Sequence, residues 1–162
     1  PRIKELYDTL AQEYGATLYI DGHDLLQFPT VDQLATASEQ ELRDLGVGYR
    51  ATYIDRATDQ LVDGVVDPEE LRELPYRRAH DRITELYGVG DKVGDCVLLF
   101  SCDQLQAFPI DTWIRQAIEQ HYPEKHSDDY HEIGDRFREH FGEHVGYAQE
   151  YLFHHIRTRD AD

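Results

Sequence analysis

Residues 86–100 read LYGVGDKVGDCVLLF. Gly88 and Gly90 set a tight turn, and Lys92 follows at once in a chain with only 16 basic residues among 162. A dinucleotide loop is excluded by spacing: three residues separate Gly90 from Gly94 where that fingerprint needs two, and no β-rich segment precedes them. A Walker-type phosphate loop is excluded too, because no Gly-Lys-Ser/Thr closes the run. The pattern that fits is helix, glycine hairpin, helix, over about residues 78–100. Glycines permit positive φ and leave the first N–H groups of the second helix open to an anion such as a phosphate. A plain helical hairpin with capping glycines fits the same letters.

Outward from the hairpin, nearly every segment carries helical periodicity. Ile3, Leu6, Tyr7, Leu10 and Tyr14 predict a helix over 2–14, stopped by Gly15. Thr30 caps a predicted helix through Ala37, and Ser38 with Glu41 forms a capping box for another that ends at Gly46. Further helices are expected over 49–63, after Asp67-Pro68, from Pro75 to about Tyr87, over 92–100, over 113–121, from Ile133 to Phe141 and from Val145 to Ile156. ATLYI at 16–20 is the best strand candidate and is read as a helix–helix connection. The fold class is therefore all-α, in one domain over 1–162 made of two helical lobes.

Composition narrows the partners less than it first suggests. The 33 acidic residues against 16 basic ones give a formal charge of −17, which opposes nucleic-acid binding in ordinary salt. A high-salt cytoplasm reconciles the two, since charges there are screened within about 3 Å at 1 M and carboxylates maintain solubility. A haloarchaeon or another high-salt organism is the expected source. No run approaches a membrane span, and no signal-peptide pattern is present. The chain opens Pro-Arg-Ile without Met, as a processed chain or a fragment would. Cys96 and Cys102 have neither a CxxC nor a four-ligand spacing, so reduced thiols in a cytoplasmic setting are expected.

Lys92 falls in the first turn of a helix whose face carries Val93, Val97 and Phe100. Near a positive helix end and partly desolvated, its ammonium form would lose stability. It is then a candidate amine nucleophile, able to form a Schiff base at a sugar C1′; the common alternative is an exposed solubilising lysine. Asp111, after Phe108-Pro109-Ile110, reads as a helix N-cap. Facing Lys92, its charge would also steady a developing oxocarbenium ion.

LYGVGDKVGDCVLLF followed by FPIDTWI resembles the helix-hairpin-helix, Gly/Pro-rich loop and aspartate signature of DNA glycosylases. LGVGYRATYI, the hairpin lysine, Cys96 after KVGD, and YAQEYLF near the C-terminus resemble the 8-oxoguanine glycosylase branch, over about Arg2 to Phe153. The resemblance implies a base-excision repair enzyme, a bifunctional glycosylase and abasic-site lyase. Its expected partner is double-stranded DNA with oxidised guanine opposite cytosine, bound by a monomer in the groove between lobes. It implies Lys92 as nucleophile and Asp111 as essential aspartate. Gln149 and Phe153, sharing a helix face at i,i+4, would hydrogen-bond and stack on the base, with Phe100 and Cys96 completing the pocket. Tyr49 resembles the wedge that enters the duplex, and Arg50 and Arg2 resemble contacts to the orphaned cytosine. Gly88, Gly90 and Trp113 complete the expected DNA contacts. Flipping leaves a gap and unmet cytosine hydrogen bonds that an aromatic and a forked donor can fill. On ordinary structural grounds Tyr49 and Phe153 also read as core residues, Gln149 as a solvated helix residue and Arg50 as a carboxylate's partner.

Several positions depart from the family pattern. An additional N-terminal domain and an asparagine-rich segment before the Arg2 position are absent from the chain. Trp113 stands where His is common, and Phe100 where Met is frequent. A non-catalytic or inactive helix-hairpin-helix DNA-binding fragment is the alternative. No cofactor is required on this reading. With no cysteine after Cys102, the four-cysteine iron–sulfur cluster of endonuclease III-type relatives is excluded. A monovalent cation at the hairpin carbonyls fits, with Gly88 and Gly90 shaping its seat. His140-Phe-Gly-Glu143-His144 matches HxxEH formally, yet Gly142 interrupts the helix such a zinc motif requires. No side-chain metal site is expected.

Overall fold

The structure, a computed structural model, describes residues 2–159. They fall into two compact units, one of residues 2–66 with Leu86–Gly88, the other of Asp67–Glu85 with residues 89–159.

In the first unit, α1 (Arg2–Tyr14) stops at Gly15. A Cβ there would lie 2.0 Å from the Gln27 carbonyl oxygen and 2.4 Å from that of Ala11, so only glycine lets the chain turn here. The next segment is not the helix–helix connection that ATLYI suggested. β1 (Thr17–Ile20) pairs antiparallel with β2 (His23–Leu26), Thr17 opposite Leu26 and Ile20 opposite His23. Asp21 (φ 49°) and Gly22 (φ 83°) make the two-residue turn, whose positive φ values match the strand twist. α2 (Val31–Leu34) is shorter than expected; Thr30 and Gln33 form its capping box, and the helix is already closed by Ala35. Ser38 and Glu41 box α3 (Glu39–Leu42), and a wide turn over Arg43–Val47 includes Gly46 at φ 82°. α4 (Arg50–Val62) follows. Leu10, Ala37, Leu42, Val47 and Ala51 form the buried core, with Leu6, Leu34 and Ile54 packed against it. Gly88 (φ 82°) belongs to this unit, and a Cβ on it would sit 2.8 Å from the Tyr53 ring.

In the second unit, Asp67 caps α5 (Pro68–Glu73). α6 (Tyr76–Ile83) ends before the expected Tyr87, because Thr84 closes it onto the Arg82 and His80 carbonyls. α7 (Asp91–Ser101) starts after Gly90, and α8 (Thr112–His121) after Asp111. α9 (Tyr130–Phe141) begins earlier than Ile133, since Asp129 accepts the Glu132 N–H as a cap. Gly142 (φ 71°) ends it, which separates His140 from His144 and breaks the HxxEH pattern. α10 spans Val145–Arg159. The core is Phe108, Ile110, Ile114, Ile118, Ile133, Phe137 and Val145, with Phe108 stacked on Phe137 at 4.7 Å. The all-α class holds, with β1–β2 the one sheet among the described residues.

Gly146 fixes how α10 meets the rest of its unit. Its N–H donates to the Leu105 carbonyl at 2.9 Å. An added Cβ would fall 2.4 Å from Leu99 Cδ1, 3.0 Å from the Leu105 oxygen and 3.1 Å from the Ala107 oxygen. Alanine would gain about 1 kcal/mol in helix propensity. Overpacking costs about 1–3 kcal/mol, and two of the three neighbours are backbone that cannot rotate away. Gly146→Ala is therefore expected to lower the thermal midpoint, read by circular dichroism; a midpoint at or above the parent's would show the segment yields.

Candidate active site

Lys92, Cys96 and Phe100 recur every fourth residue along α7, and Gln149 and Phe153 do so on α10. Such spacing puts each set on one helix face. These two faces and the loop before α8 line one cavity of about 220 Å³, with Pro109, Asp111 and Glu150 completing it. That is less than the ~300–1,000 Å³ of sites for drug-sized ligands, so it suits a single flat ring system.

Gly90 offers no side-chain cap to α7, so the first-turn N–H groups stay open to an outside acceptor. Lys92, in that turn, is exposed and lines the cavity. Burial pushes the Cys96 thiol up, and the neighbouring Lys92 ammonium pulls the other way without overcoming it. Cys96 is thus a neutral hydrogen-bonding neighbour of Lys92 and not a rival thiolate. Asp111 is half-buried, and its Oδ1 accepts the Ile114 N–H at 2.8 Å. It caps α8 and lines the cavity at once.

Gln149 is the least ordinary member. It is 5% exposed; its Nε2 donates to the Pro109 carbonyl at 3.1 Å, while its Oε1 is buried without a partner. Only the amide NH₂ can donate to a carbonyl, so this bond fixes which way the side chain is turned. A buried orphan acceptor costs about 1–3 kcal/mol, and a ligand N–H would satisfy it. Phe153 both lines the cavity and packs on the core, with the Arg157 guanidinium 5.6 Å from its ring.

The other sequence-derived candidates lie elsewhere. Trp113 lines a separate hollow of about 300 Å³ with Gln116 and His121. In the first unit Arg2 donates to the Gly46 carbonyl at 2.6 Å and pairs with Glu5 at 3.3 Å. Tyr49 is 63% exposed, with the Arg50 guanidinium 4.7 Å over its ring and Tyr53 edge-on at 5.9 Å.

The sequence reading missed Glu150 at the cavity and Asp95 beside Cys96. Asp95 is 1% exposed and accepts the hydroxyls of Tyr76 at 2.8 Å and Tyr130 at 2.7 Å. An acid inside the apolar run VGDCVLLF was the signal available.

Against known proteins, the family model for "HhH-GPD superfamily base excision DNA repair protein" matches residues 1–143. A "Probable N-glycosylase/DNA lyase" of Methanothermobacter thermautotrophicus is 39% identical over 120 residues, 74% of this chain and 38% of the relative. N-glycosylase/DNA lyase OGG1 of Arabidopsis thaliana is 34% identical over 148 residues, 83% of this chain and 40% of the relative. The crystal structure of the Clostridium acetobutylicum 8-oxoguanine glycosylase/lyase, in complex with double-stranded DNA containing cytosine opposite 8-oxoG, superposes with a TM-score of 0.88 at 33% identity. It covers 99% of this chain and 55% of that one. The chain thus spans 38–40% of these curated relatives' length. Among the described residues, no helix is long and apolar enough to cross a membrane.

Proposed function

We propose, from the premise that the chain belongs to the HhH-GPD superfamily of base excision DNA repair proteins, that it carries the catalytic core of an 8-oxoguanine DNA glycosylase and abasic-site lyase. The observation that carries the substrate is Gln149 Oε1, a buried acceptor without a partner in a cavity shared with Lys92 and Asp111. Guanine and its 8-oxo form present adjacent N–H donors at N1 and N2 on the Watson–Crick edge, whereas adenine pairs a single donor at N6 with an acceptor at N1. A flipped oxidised guanine would donate to Oε1 and stack on Phe153.

In the proposed chemistry the Lys92 amine, as free base, bonds to C1′ while the bond from C1′ to the base breaks and the base departs with that electron pair. The negative charge of Asp111 steadies the cationic sugar through this step. The C1′–O4′ bond then breaks, a proton passes from the Lys92 nitrogen to O4′, and the opened sugar is left as a Schiff base on Lys92. Loss of a proton from C2′ expels the 3′ phosphate and nicks the strand. Every step uses a side chain or water, so this chemistry asks for no cofactor. The open N–H groups of α7 would receive a DNA phosphate, and the carbonyls of the turn shaped by Gly88 and Gly90 would hold a monovalent cation, which would add positive charge there. An iron–sulfur cluster is no part of the proposal. Tyr49 with its stacked Arg50 is the proposed wedge and cytosine contact; Arg2 would join them on releasing Glu5. We extend the proposal to a monomer working in high salt, on the charge of −17.

The test is incubation with duplex bearing 8-oxoguanine opposite cytosine, across a KCl series, with base release and strand nicking measured. Release of the oxidised base, and none from a G·C duplex, is expected. Equal binding to damaged and undamaged duplex without release would favour the inactive DNA-binding module, and activity confined to low salt would remove the high-salt element. Gln149→Leu is expected to slow excision by roughly five- to 150-fold, the equivalent of about 1–3 kcal/mol. Stability should change little, because the bond to Pro109 is lost while an orphan oxygen is removed. Unchanged single-turnover excision would remove Gln149 from base recognition.

A further inference from the structure

Among the described residues, one set of metal-ligating side chains converges outside the cavity just described. His80 of α6, Asp91 at the start of α7 and His131 of α9 each offer one ligand atom, and these atoms lie within 4.8 Å of one another. His131 Nε2 is 3.7 Å from Asp91 Oδ1. The two imidazole rings meet edge to face, with centroids 5.0 Å apart.

The geometry points to a binding site for a divalent transition-metal ion of the zinc class. Two neutral imidazoles and a carboxylate form an N₂O donor set, which suits zinc and cobalt; calcium and magnesium take oxygen donors. Zinc bonds of about 2.0–2.1 Å in tetrahedral array set the ligand atoms roughly 3.4 Å apart. The present spread therefore requires an inward movement on the order of 1 Å. The side chains free to make it are His131 and Asp91, which are 41% and 49% exposed.

His80, in contrast, is anchored at 3% exposure. Its Nε2 lies 3.3 Å from the Asp91 backbone oxygen and 3.9 Å from Asp95 Oδ1. Asp95 is itself held by the Tyr76 and Tyr130 hydroxyls. These contacts restrain the His80 ring, and an ion bound at Nε2 would take the place of the Asp91 carbonyl as that nitrogen's partner. Three protein ligands leave a fourth position for water, so the ion would be exchangeable. It would also tie α6, α7 and α9 together and place a cation next to Lys92. The site does not depend on the proposed glycosylase reading, and it lies apart from the broken His140–His144 motif. The competing account is a simple ion pair between Asp91 and protonated His131.

The experiment is titration of the EDTA-treated chain with Co²⁺, followed by its visible ligand-field absorption, with Zn²⁺ as competitor. The chain is expected to bind one equivalent of Co²⁺, displaced by Zn²⁺, and Zn²⁺ is expected to raise the thermal midpoint. His131→Ala and Asp91→Asn, both at partly exposed positions, should each weaken Co²⁺ by at least about 100-fold, beyond the 10–100-fold typical of losing an outer-shell partner. Their metal-free circular dichroism should match the parent. His140→Ala/His144→Ala should leave Co²⁺ binding unchanged. Absence of stoichiometric binding would overturn the site. So would parental affinity in both ligand variants, or loss of binding in the His140→Ala/His144→Ala control.

Discussion

Lys92→Gln protein is expected to lose the covalent complex that borohydride traps on 8-oxoguanine duplex, and to lose base release and strand nicking with it. Glutamine is one atom shorter and still donates hydrogen bonds, but its amide nitrogen has no lone pair able to form an imine. Removing a nucleophile outright costs far more than removing a binding contact, on the order of 10³-fold or more in turnover. Because Lys92 is exposed, the substitution leaves no buried hole, and the unfolding free energy should stay within about 0.5 kcal/mol of the parent's. DNA binding should persist. Full excision by the Lys92→Gln chain would sink the Schiff-base mechanism; excision retained with nicking lost would confine Lys92 to the lyase step.

The second large effect is structural and sits one turn along the same helix. Asp95→Ala would leave the Tyr76 and Tyr130 hydroxyls, now 2.8 and 2.7 Å from its carboxylate, without that acceptor. Each stranded hydroxyl costs about 1–3 kcal/mol, and relief of the carboxylate's own desolvation offsets part of the sum. A net loss of about 2–4 kcal/mol is expected, against a total stability of about 5–15 kcal/mol. Urea unfolding measures it; a loss below about 1 kcal/mol would mean the hydroxyls find other partners.

The same cluster sets an alkaline limit. Burial, and after it the charge of Asp95, holds the Tyr76 phenol above its ordinary value against a smaller opposing pull from Arg138. Burial and Asp95 act in the same sense on Tyr130. A phenol raised on folding contributes stability that is complete below the unfolded value near pH 10 and is lost as pH rises toward the folded value. Thermal midpoints should therefore fall progressively above about pH 10, and less steeply in Tyr76→Phe protein. Identical slopes would acquit Tyr76.

What was legible in the sequence is what is decided locally. Thr30 with Gln33 and Ser38 with Glu41 announce their helices because a cap and its partner sit three residues apart. Lys92, Cys96 and Phe100 could be placed on one face by counting. The β1–β2 hairpin escaped because its strands are four residues long and exposed throughout, with no buried alternation to read; Asp21-Gly22 was the available signal. The Asp129 cap was hidden in a polar run that read as loop. Asp95, Tyr76, Tyr130, His80 and His131 meet only because three helices pack together, and no spacing in one segment encodes that.

Asp111 serves two masters, and this limits the drift open to a lineage that carries it. Its Oδ1 holds the Ile114 N–H while its charge, on the proposed role, faces the reacting sugar. Glutamate would keep the charge but is a poor substitute as N-cap; asparagine caps as well as aspartate but carries no charge. Neither nearest chemical neighbour preserves both duties. On that proposed role, asparagine is the step by which descendants would give up the charge while keeping the cap and the fold.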